Sequence, residues 1–319
     1  MKCTKCNSAA VIFTPYSGSH LCSSHFIASV ERRVRHRIRS DKLLHGSNNK
    51  DPQKWVIGVS GGKDSSVLTY ILHNMLDKDP RIHLIALTVN EGITGYRDES
   101  IEVCKTFTKS LGIRHEIFSY QEEFGIDMDE VVEKNPLNLN ACSYCGVFRR
   151  NLLDLAANDL KADKLLTGHN LDDESQTAMM NFLSGDVRKM AKHFEASLAP
   201  FHQRGTTEFI PRAKPLRDIP EKEVALYAHL MKIPFYMGDC PYAPTSFRGT
   251  VRDLILSLED NHPGTRHSIM SGYEELASMA SKNSTLKEEL KLQYCINCGS
   301  PTTQKICQKC VFIEAMKKT

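Results

Sequence analysis

Short apolar runs alternate with longer amphipathic segments from residue 55 onward, and this alternation constrains the possible fold most strongly. Strands are predicted at 55–59, 82–89, 115–119, 164–167 and 233–237. Segments with helical periodicity separate them, so each strand is followed by a crossover. Strands separated by helices of about 10–15 residues are typical of a parallel sheet with helices on both faces. The sequence therefore predicts a doubly wound α/β fold.

Apolar spacing places the helices and divides the chain into three parts. Helices are predicted at 26–44, 64–76, 97–111, 146–160, 171–183, 220–231, 250–257 and 272–290. The polar stretch 45–54, with Gly46 and Pro52, is predicted to be a linker. We expect an N-terminal cysteine module with a basic helix at 1–45, a catalytic domain at 46–285 and a C-terminal cysteine module at 286–319.

A glycine-rich turn between the first strand and the next helix is a candidate phosphate loop. Its residues are Ser60, Gly61, Gly62, Lys63, Asp64, Ser65 and Ser66. Glycines let the backbone approach an anion closely, and the free N–H groups of the following helix attract phosphate. The GxxxxGK[ST] and GxGxxG spacings are both absent. A γ-phosphate-transferring NTPase and a dinucleotide-binding protein are therefore disfavoured.

Cysteines are clustered at both ends of the chain. The N-terminal set is Cys3, Cys6, Cys22 and His25, and the C-terminal set is Cys295, Cys298, Cys307 and Cys310. Each set supplies four ligands in two pairs, which is the requirement of a tetrahedral structural zinc site. No secretory signal begins the chain, so disulfide pairing is disfavoured and a cytoplasmic location is expected. Two Zn²⁺ ions are predicted.

Three further cysteines lie in the central domain. Cys142 and Cys145 form a CxxC pair at a predicted helix start, beside Arg149, and Cys240 follows the fifth predicted strand. A helix N-terminus and nearby cations favour thiolates. Three interpretations remain open from spacing: a zinc site with an unidentified fourth ligand, a sulfur relay, and an iron–sulfur cluster on three thiolates. Cys104 lies among apolar residues and is predicted to be a buried hydrophobe.

A basic segment follows the N-terminal module and is the candidate RNA-binding element. Its cations are Arg32, Arg33, Arg35, Arg37, Arg39 and Lys42. The whole chain has a net charge of only +3, from 41 basic and 38 acidic residues, so bulk charge does not indicate nucleic-acid binding. A local stripe beside a zinc module would bind RNA phosphates with a strong dependence on salt.

Combined motifs resemble one family of enzymes. SGGKDS at 60–65 resembles the pyrophosphate loop of the PP-loop ATPases, with the adenine nucleotide α-hydrolase-like fold. The segments NEGITGYR at 90–97, CSYCGVFRR at 142–150, GHNLDDE at 168–174 and PLR at 215–217, with cysteine modules at both ends, resemble the archaeal and eukaryotic tRNA 2-thiouridine synthetases. The likeness covers nearly the whole chain. The family usually has Asp where this chain has Asn90.

The resemblance implies an ATP- and Mg²⁺-dependent tRNA sulfurtransferase. A uridine C2 oxygen would be adenylated, and a sulfide on a 4Fe–4S cluster held by Cys142, Cys145 and Cys240 would then replace AMP. Implied catalytic residues also include Lys63, Arg149, Asp172 and Asp173, and Asp64 or the Asp172/Asp173 pair could hold Mg²⁺. ATP would contact residues 60–66 with Val89, Gly168 and His169.

Several alternatives stay open within this interpretation. Wobble position 34 is the preferred target, and uridine 54 of the T loop is the alternative. The sulfur donor is sulfide or a ubiquitin-like thiocarboxylate carrier, and a homodimer without membrane association is expected. A cluster-free persulfide relay, another PP-loop adenylating enzyme and a non-enzymatic RNA-binding scaffold are the competing functions.

Overall fold

Five parallel strands form the central sheet in the computed structural model, which describes residues 1–185, 187, 189–190, 210–242, 247–282 and 293–318. The strands are β1 (Ile12–Thr14), β2 (Ser19–Leu21), β3 (Gln53–Gly58), β4 (Ile82–Asn90), β5 (Arg114–Ser119), β6 (Lys164–Leu166), β7 (Arg212–Ala213), β8 (Gln293–Tyr294) and β9 (Pro301–Thr302). The central order is β5-β4-β3-β6-β7, with every neighbouring pair parallel. The predicted doubly wound α/β fold is confirmed.

Helices cover both faces of this sheet. They are α1 (Ser23–Ser40), α2 (Lys63–Leu76), α3 (Arg97–Ser110), α4 (Tyr120–Phe124), α5 (Met128–Lys134), α6 (Ala141–Asp159), α7 (Leu171–Leu183), α8 (Glu221–Leu230), α9 (Phe247–Asn261), α10 (Thr265–Ser281) and α11 (Gln308–Lys318). The predicted helix at 272–290 begins earlier, and its last residues lie outside the described part of the chain.

Side chains of β3 alternate between two apolar cores. Trp55 and Ile57 face a core built with α1, α2 and α8, whereas Val56 packs with α6 on the other face. Successive side chains of a strand point to opposite sides of the sheet, so a strand covered on both faces is apolar throughout. The basic helix α1 belongs to the first core through Phe26, Val30, Val34 and Ile38.

The fifth strand was predicted at the wrong place. Residues 233–237 form no strand, and the sheet ends instead with Arg212–Ala213. Pro234 interrupts the apolar run and has no N–H to donate to a strand ladder. Ile233 is nevertheless buried, and the Tyr236 N–H donates to the Gly61 carbonyl at 2.8 Å. The apolar run therefore covers the phosphate loop as irregular chain.

The two cysteine modules pack on opposite parts of the central domain. Near the N-terminus, Tyr16 and Arg33 both contact the buried Glu223 carboxylate of α8. At the C-terminus, Phe312 of α11 packs edge-on against Tyr144 and Phe148 of α6, with ring centroids 4.8 and 5.9 Å apart. Among the helices of the described residues, none is both long and apolar enough to span a membrane.

Candidate functional site

The candidate site lies where the strand order reverses. β3 pairs with β4 on one side and with β6 on the other, so the loops after β3 and β6 diverge at the carboxyl ends of these strands. Open α/β sheets bind ligands in the crevice at such a point. The predicted phosphate loop follows β3, and the segment from Gly168 to Asn170 follows β6. The fold therefore brings these two predicted segments together.

Short hydrogen bonds brace the phosphate loop. Ser65 Oγ accepts from the Ser60 N–H at 3.1 Å and donates to the Gly62 carbonyl at 2.9 Å. Gly61 has a φ of +87°, and a Cβ there would lie 2.8 Å from the Ser100 carbonyl oxygen. Only glycine accommodates both constraints. Gly62 directly precedes α2, so the first amides of this helix face the crevice as an anion site.

Lys63 is surrounded by carboxylates. Its ammonium lies 2.5 Å from Glu221 Oε1 and 3.1 Å from Asp64 Oδ2. Burial opposes the lysine charge, but these two carboxylates outweigh it and raise the pKa of Lys63. Burial also raises the pKa of Asp64, whose other oxygen accepts from Asn170 Nδ2 at 3.2 Å. Glu221 was missed by the sequence analysis because it lies far along the chain, at the start of α8.

The β6 loop closes on the start of α2 without a side chain between them. A Cβ at Gly168 would lie 2.8 Å from both the carbonyl carbon of Asp64 and the amide nitrogen of Ser65. His169 Nδ1 lies 2.8 Å from Thr167 Oγ1. Desolvation in the crowded cleft, with the nearby Lys214 ammonium, lowers the pKa of His169 to about 4, so its imidazole is neutral at pH 7.

Asp172 and Asp173 have different surroundings. Asp172 is buried, accepts from the Glu221 N–H at 2.7 Å and pairs with Arg266 Nε at 2.7 Å. Asp173 is half-buried, and its carboxylate accepts from the Asn170 N–H at 3.2 Å at the start of α7. The nearby Asp64 carboxylate disfavours the charged form of Asp173. Desolvation is the main cause that raises the pKa of Asp173 to about 6. Asp173 therefore faces the phosphate loop, while Asp172 joins α7 to α8 and α10.

The predicted ATP contact at Val89 is partly occupied by the protein itself. Its carbonyl accepts from Arg97 Nε at 2.8 Å, and a second N–H of Arg97 donates to the Ser60 carbonyl at 2.9 Å. Arg97 is buried, so it ties the end of β4 to the phosphate loop. The loop is thus held from β4 and α3 as well as from α2.

The three central cysteines lie on α6 and on the segment after Ile233, and their sulfurs are not gathered as closely as those of the terminal modules. Asn140 caps α6 by accepting from the Cys142 N–H at 2.9 Å, so Cys142 lies in the first turn of α6 and Cys145 follows one turn later. Cys142 Sγ lies 3.9 Å from the Tyr242 carbonyl, two residues after Cys240. Cys145 and Cys240 pack against one apolar cluster. Burial raises the pKa of Cys145 despite Arg149, contrary to the expectation of a helix-stabilised thiolate.

No fourth cysteine is left to complete this group. The chain has eleven cysteines, all in described residues, and seven belong to the terminal modules. Cys104 is buried elsewhere, as predicted, where its thiol donates to the Val59 carbonyl at 3.7 Å. Three thiols match the ligand number of an iron–sulfur cluster with one iron open, and also that of a zinc ion with one ligand other than cysteine. Cys142, Cys145 and Cys240 therefore fit such a cluster.

The N-terminal ligands have the spacing of a zinc tetrahedron. Zn–S bonds of about 2.3 Å require sulfurs about 3.8 Å apart. Cys6 and Cys22 have their sulfurs 3.7 Å apart, and His25 Nδ1 lies 3.4 Å from the sulfur of Cys3. The four ligand atoms all lie within 4.8 Å of one another. These residues fit one Zn²⁺ ion.

The C-terminal ligands meet the same criterion. The sulfurs of Cys298 and Cys307 are 3.6 Å apart, and all four ligand atoms lie within 4.8 Å of one another. Cys295 Sγ accepts from the Cys307 N–H at 3.2 Å. Such a bond stabilises a metal-bound thiolate. Cys310 completes the set at the start of α11.

Only part of the basic segment at 32–42 is free of ion pairs within the described residues. Arg37 binds both oxygens of Asp218 at 2.6 to 2.9 Å, Arg33 contacts Glu223, and Arg35 pairs with Glu31. By contrast, three cations are exposed and form no ion pair within the described residues. These are Arg32, Arg39 and Lys42. Three of the six predicted cations therefore pair with carboxylates, and the other three face solvent.

Family profiles match two parts of the chain. A PP-loop domain matches residues 32–259, which cover more than half of the sequence. The N-terminal LIM domain of the 2-thiouridine synthetase TtuA matches residues 2–27, the segment that contains the first cysteine module.

Three known proteins show the extent of the similarity. The tRNA 2-thiolation protein NcsA of Haloferax volcanii is 55% identical over 99% of both chains. The cytoplasmic tRNA 2-thiolation protein 1 of Saccharomyces cerevisiae is 36% identical over 99% of this chain and 87% of its own length. The structure of the U34-tRNA thiolase NcsA from Methanococcus maripaludis with its [4Fe-4S] cluster is similar at a TM-score of 0.77 and 40% identity, covering 87% of this chain and 88% of that one.

Proposed function

This chain belongs to the PP-loop tRNA 2-thiolation proteins and is an ATP-dependent tRNA sulfurtransferase, and we propose that it converts uridine 34 to 2-thiouridine by adenylation followed by sulfur insertion. One observation carries the proposal. The phosphate loop and the three central cysteines lie at the two ends of one chain of contacts, from the Ser60 carbonyl through Arg97, Glu91 and Arg149 to Cys145. A base activated at the loop is therefore near the thiols.

Adenylation uses the residues around the loop. The amides of residues 60–66 would bind the phosphates of ATP, and Lys63 would leave Glu221 to neutralise them. Asp64 would hold Mg²⁺ through its carboxylate oxygens. The uridine O2 attacks the α-phosphorus, the bond to the β-phosphate breaks, and pyrophosphate leaves. Asp173 faces this site with a pKa of about 6, so it can take the uridine N3 proton near neutral pH.

Sulfur insertion uses the residues around the cysteines. Cys142, Cys145 and Cys240 would hold the 4Fe–4S cluster, which supplies an iron with an open position for sulfide. Arg149, 3.2 Å from Cys145 Sγ, would stabilise the negative charge that develops as sulfur reaches C2 and AMP leaves. The uridine must leave its stack to enter the crevice, because C2 of a stacked base is inaccessible.

Partners and location complete the proposal. Position 34 is favoured over position 54 because the relative of known structure is described as a U34-tRNA thiolase. Sulfide or a ubiquitin-like thiocarboxylate is the donor, and the protein acts as a homodimer. A cytoplasmic location is in line with the description of the yeast relative as cytoplasmic. The two terminal modules would each hold one Zn²⁺ ion.

The test is a thiolation assay under anaerobic conditions with ATP, Mg²⁺ and sulfide. The substrates are a tRNA transcript with uridine at positions 34 and 54 and two transcripts with cytidine at one of them. Mass spectrometry should find 2-thiouridine only where position 34 is uridine, with pyrophosphate released in equal amount. Cys142→Ser should keep pyrophosphate release and lose thiolation.

Each alternative function has its own result in this assay. Thiolation only where position 54 is uridine would reassign the target. Thiolation that survives Cys142→Ser, Cys145→Ser and Cys240→Ser would contradict the cluster. Pyrophosphate release without dependence on tRNA would favour another PP-loop adenylating enzyme, and no release at all would favour an RNA-binding scaffold.

A further inference from the structure

A buried carboxylate between two arginines carries a role that motif reading did not assign. We propose that Glu91 is a positioning residue that holds Arg149 beside Cys145 and couples this arrangement to the phosphate loop through Arg97. The inference rests on the proposed function, in which Arg149 acts at the cysteine site. Glu91 itself would contact neither ATP nor the uridine.

Glu91 directly follows β4 and is 2% exposed. Its Oε1 lies 2.9 Å from Arg149 Nε, and its Oε2 lies 2.6 Å from Arg97 Nε without accepting a hydrogen bond, because that N–H donates to the Val89 carbonyl. Its backbone is fixed as well, because the Glu91 carbonyl accepts from the Met128 N–H at 2.8 Å. A buried carboxylate is costly unless it is paired, and here two guanidinium groups supply the pairing. The position of Glu91 is therefore strongly determined.

The two arginines depend on Glu91 to different degrees. Arg97 is buried and also donates to Val89 O, Ser60 O and Ser100 Oγ. Arg149 has a side chain that is 50% exposed, and among the described residues its contacts are Glu91 and Cys145 Sγ, at 3.2 Å. Loss of the Glu91 charge should therefore leave Arg97 in place and release Arg149 into solvent, because a long side chain gains rotamer freedom.

The arrangement has a consequence for charge. Two guanidinium groups and one carboxylate leave one positive charge, and Arg149 places it at the cysteine site because Arg97 is fully enclosed. A fixed donor stabilises a developing anion better than a mobile one, since no reorganisation is needed during the reaction. Glu91 therefore acts through the geometry of Arg149 and not through contact with the reacting atoms.

A double-mutant cycle tests this role with the holoenzyme. Glu91→Gln, Arg149→Ala and the double variant are compared in tRNA thiolation under saturating ATP and tRNA. We expect at least a tenfold loss of kcat in E91Q, and a double variant within about twofold of R149A, because Glu91 has nothing left to position. Independent, multiplicative losses would overturn the inference, as would an E91Q enzyme as fast as wild type. Glu102→Gln, on the exposed face of α3, is the matched control.

A second readout does not require the loaded cluster. In the metal-free central site, the Nε–Hε NMR signal of Arg149, assigned by its absence in R149A, should be protected from exchange in wild type and unprotected in E91Q. The Arg97 signal should stay protected and ATP affinity should stay within about twofold of wild type, whereas the melting temperature should fall because buried Arg97 loses its counter-charge. Protection of Arg149 in folded E91Q would overturn the inference. If E91Q does not fold, Glu91→Asp replaces it, because the shorter side chain keeps the charge but cannot reach both arginines.

These outcomes separate the inference from the proposed function. If the wild-type protein fails to thiolate any transcript, the proposed function is wrong, and the exchange measurement still decides whether Glu91 holds Arg149. If the wild-type protein thiolates and E91Q has the same kcat, only the inference about Glu91 is wrong.

Discussion

At the residue scale, the site depends on a glycine that lets two loops touch and on two neighbouring carboxylates with different surroundings. Gly168 lets the β6 loop touch the first residues of α2, so two loops share one anion site. Asp172 and Asp173 are neighbours in sequence, yet one is fixed by Arg266 and a backbone N–H while the other faces Asp64. A helix turns by about 100° per residue, so adjacent side chains reach different partners.

Gly168→Ala should distort the phosphate loop. The new Cβ would lie 2.8 Å from backbone atoms of Asp64 and Ser65, which cannot move aside as a flexible side chain could. We expect a loss of about 1–3 kcal/mol in the free energy of unfolding and a larger relative loss of ATP affinity, measured by denaturant unfolding and nucleotide titration. Gly272→Ala is the control, since nothing lies within 4 Å of its Cβ and it sits on the exposed face of α10. Equal behaviour of the two variants would contradict the prediction.

Asp173 should make the apoprotein less stable as the pH rises. Its pKa in the folded state is about 6, above the unfolded value of about 3.9, so folding favours the protonated form. The stability that Asp173 contributes relative to Asn is therefore full below about pH 4 and is lost as the pH rises through 6. Urea unfolding of wild type and Asp173→Asn between pH 4 and 7 would measure this difference. Asp253→Asn, at a carboxylate that is 71% exposed, is the control substitution.

At the element scale, α1 shows how one helix serves two purposes. Its apolar face enters the core of the sheet through Phe26, Val30, Val34 and Ile38, and its cations flank that face. Arg33 and Arg37 bind carboxylates on and near α8. The cations that point away from the core are the ones left for phosphate.

Alanine substitutions should separate the two groups of cations on α1 and in the turn that follows it. Arg32→Ala, Arg39→Ala and Lys42→Ala should each weaken tRNA binding and reduce the salt slope of log K by about 1 if one phosphate contact is lost, with no change in melting temperature. Arg37→Ala should cost roughly 0.5–1 kcal/mol of stability, as expected for a partly exposed ion pair, with little change in the salt slope. Filter binding across a series of salt concentrations measures the slope. A reduced slope in R37A alone would reverse the assignment.

At the scale of the whole molecule, the terminal modules brace the site from outside. The first module and α1 contact α8, and Glu221 at the start of α8 pairs with Lys63. Helix α11 of the second module packs on α6, whose first two turns carry Cys142 and Cys145. Each module is too small to bury a core of its own, so a metal ion must supply its folding energy.

Metal analysis of anaerobically purified protein should separate the three metal sites. We expect about four irons with equal labile sulfide and about two zincs per chain. Cys240→Ser should lose iron and keep both zincs, because its thiol belongs to the central group alone. Cys298→Ser should lose one zinc. It should also make the bound iron easier for chelators to remove, because α11 packs on α6. Loss of zinc in Cys240→Ser would contradict the assignment of the three sites.

Local spacing was enough to predict the fold class, the phosphate loop and the two terminal ligand sets. Periodicity distinguishes strand from helix within about ten residues, and paired CxxC spacing brings ligands together within one turn. The start of α6 was predicted five residues late, since Asn140 begins it through a capping bond and the cysteines give no apolar period.

Contacts between polar residues far apart in the chain followed from the folded arrangement. The fold places Glu221 on Lys63 and Glu91 between two arginines, gives Asp172 and Asp173 different partners, and pairs three of the six cations at 32–42 with carboxylates. It also ended the sheet at Arg212–Ala213 in place of 233–237. These contacts join residues far apart in the chain, and their energies depend on burial and partner geometry, which a linear pattern does not contain.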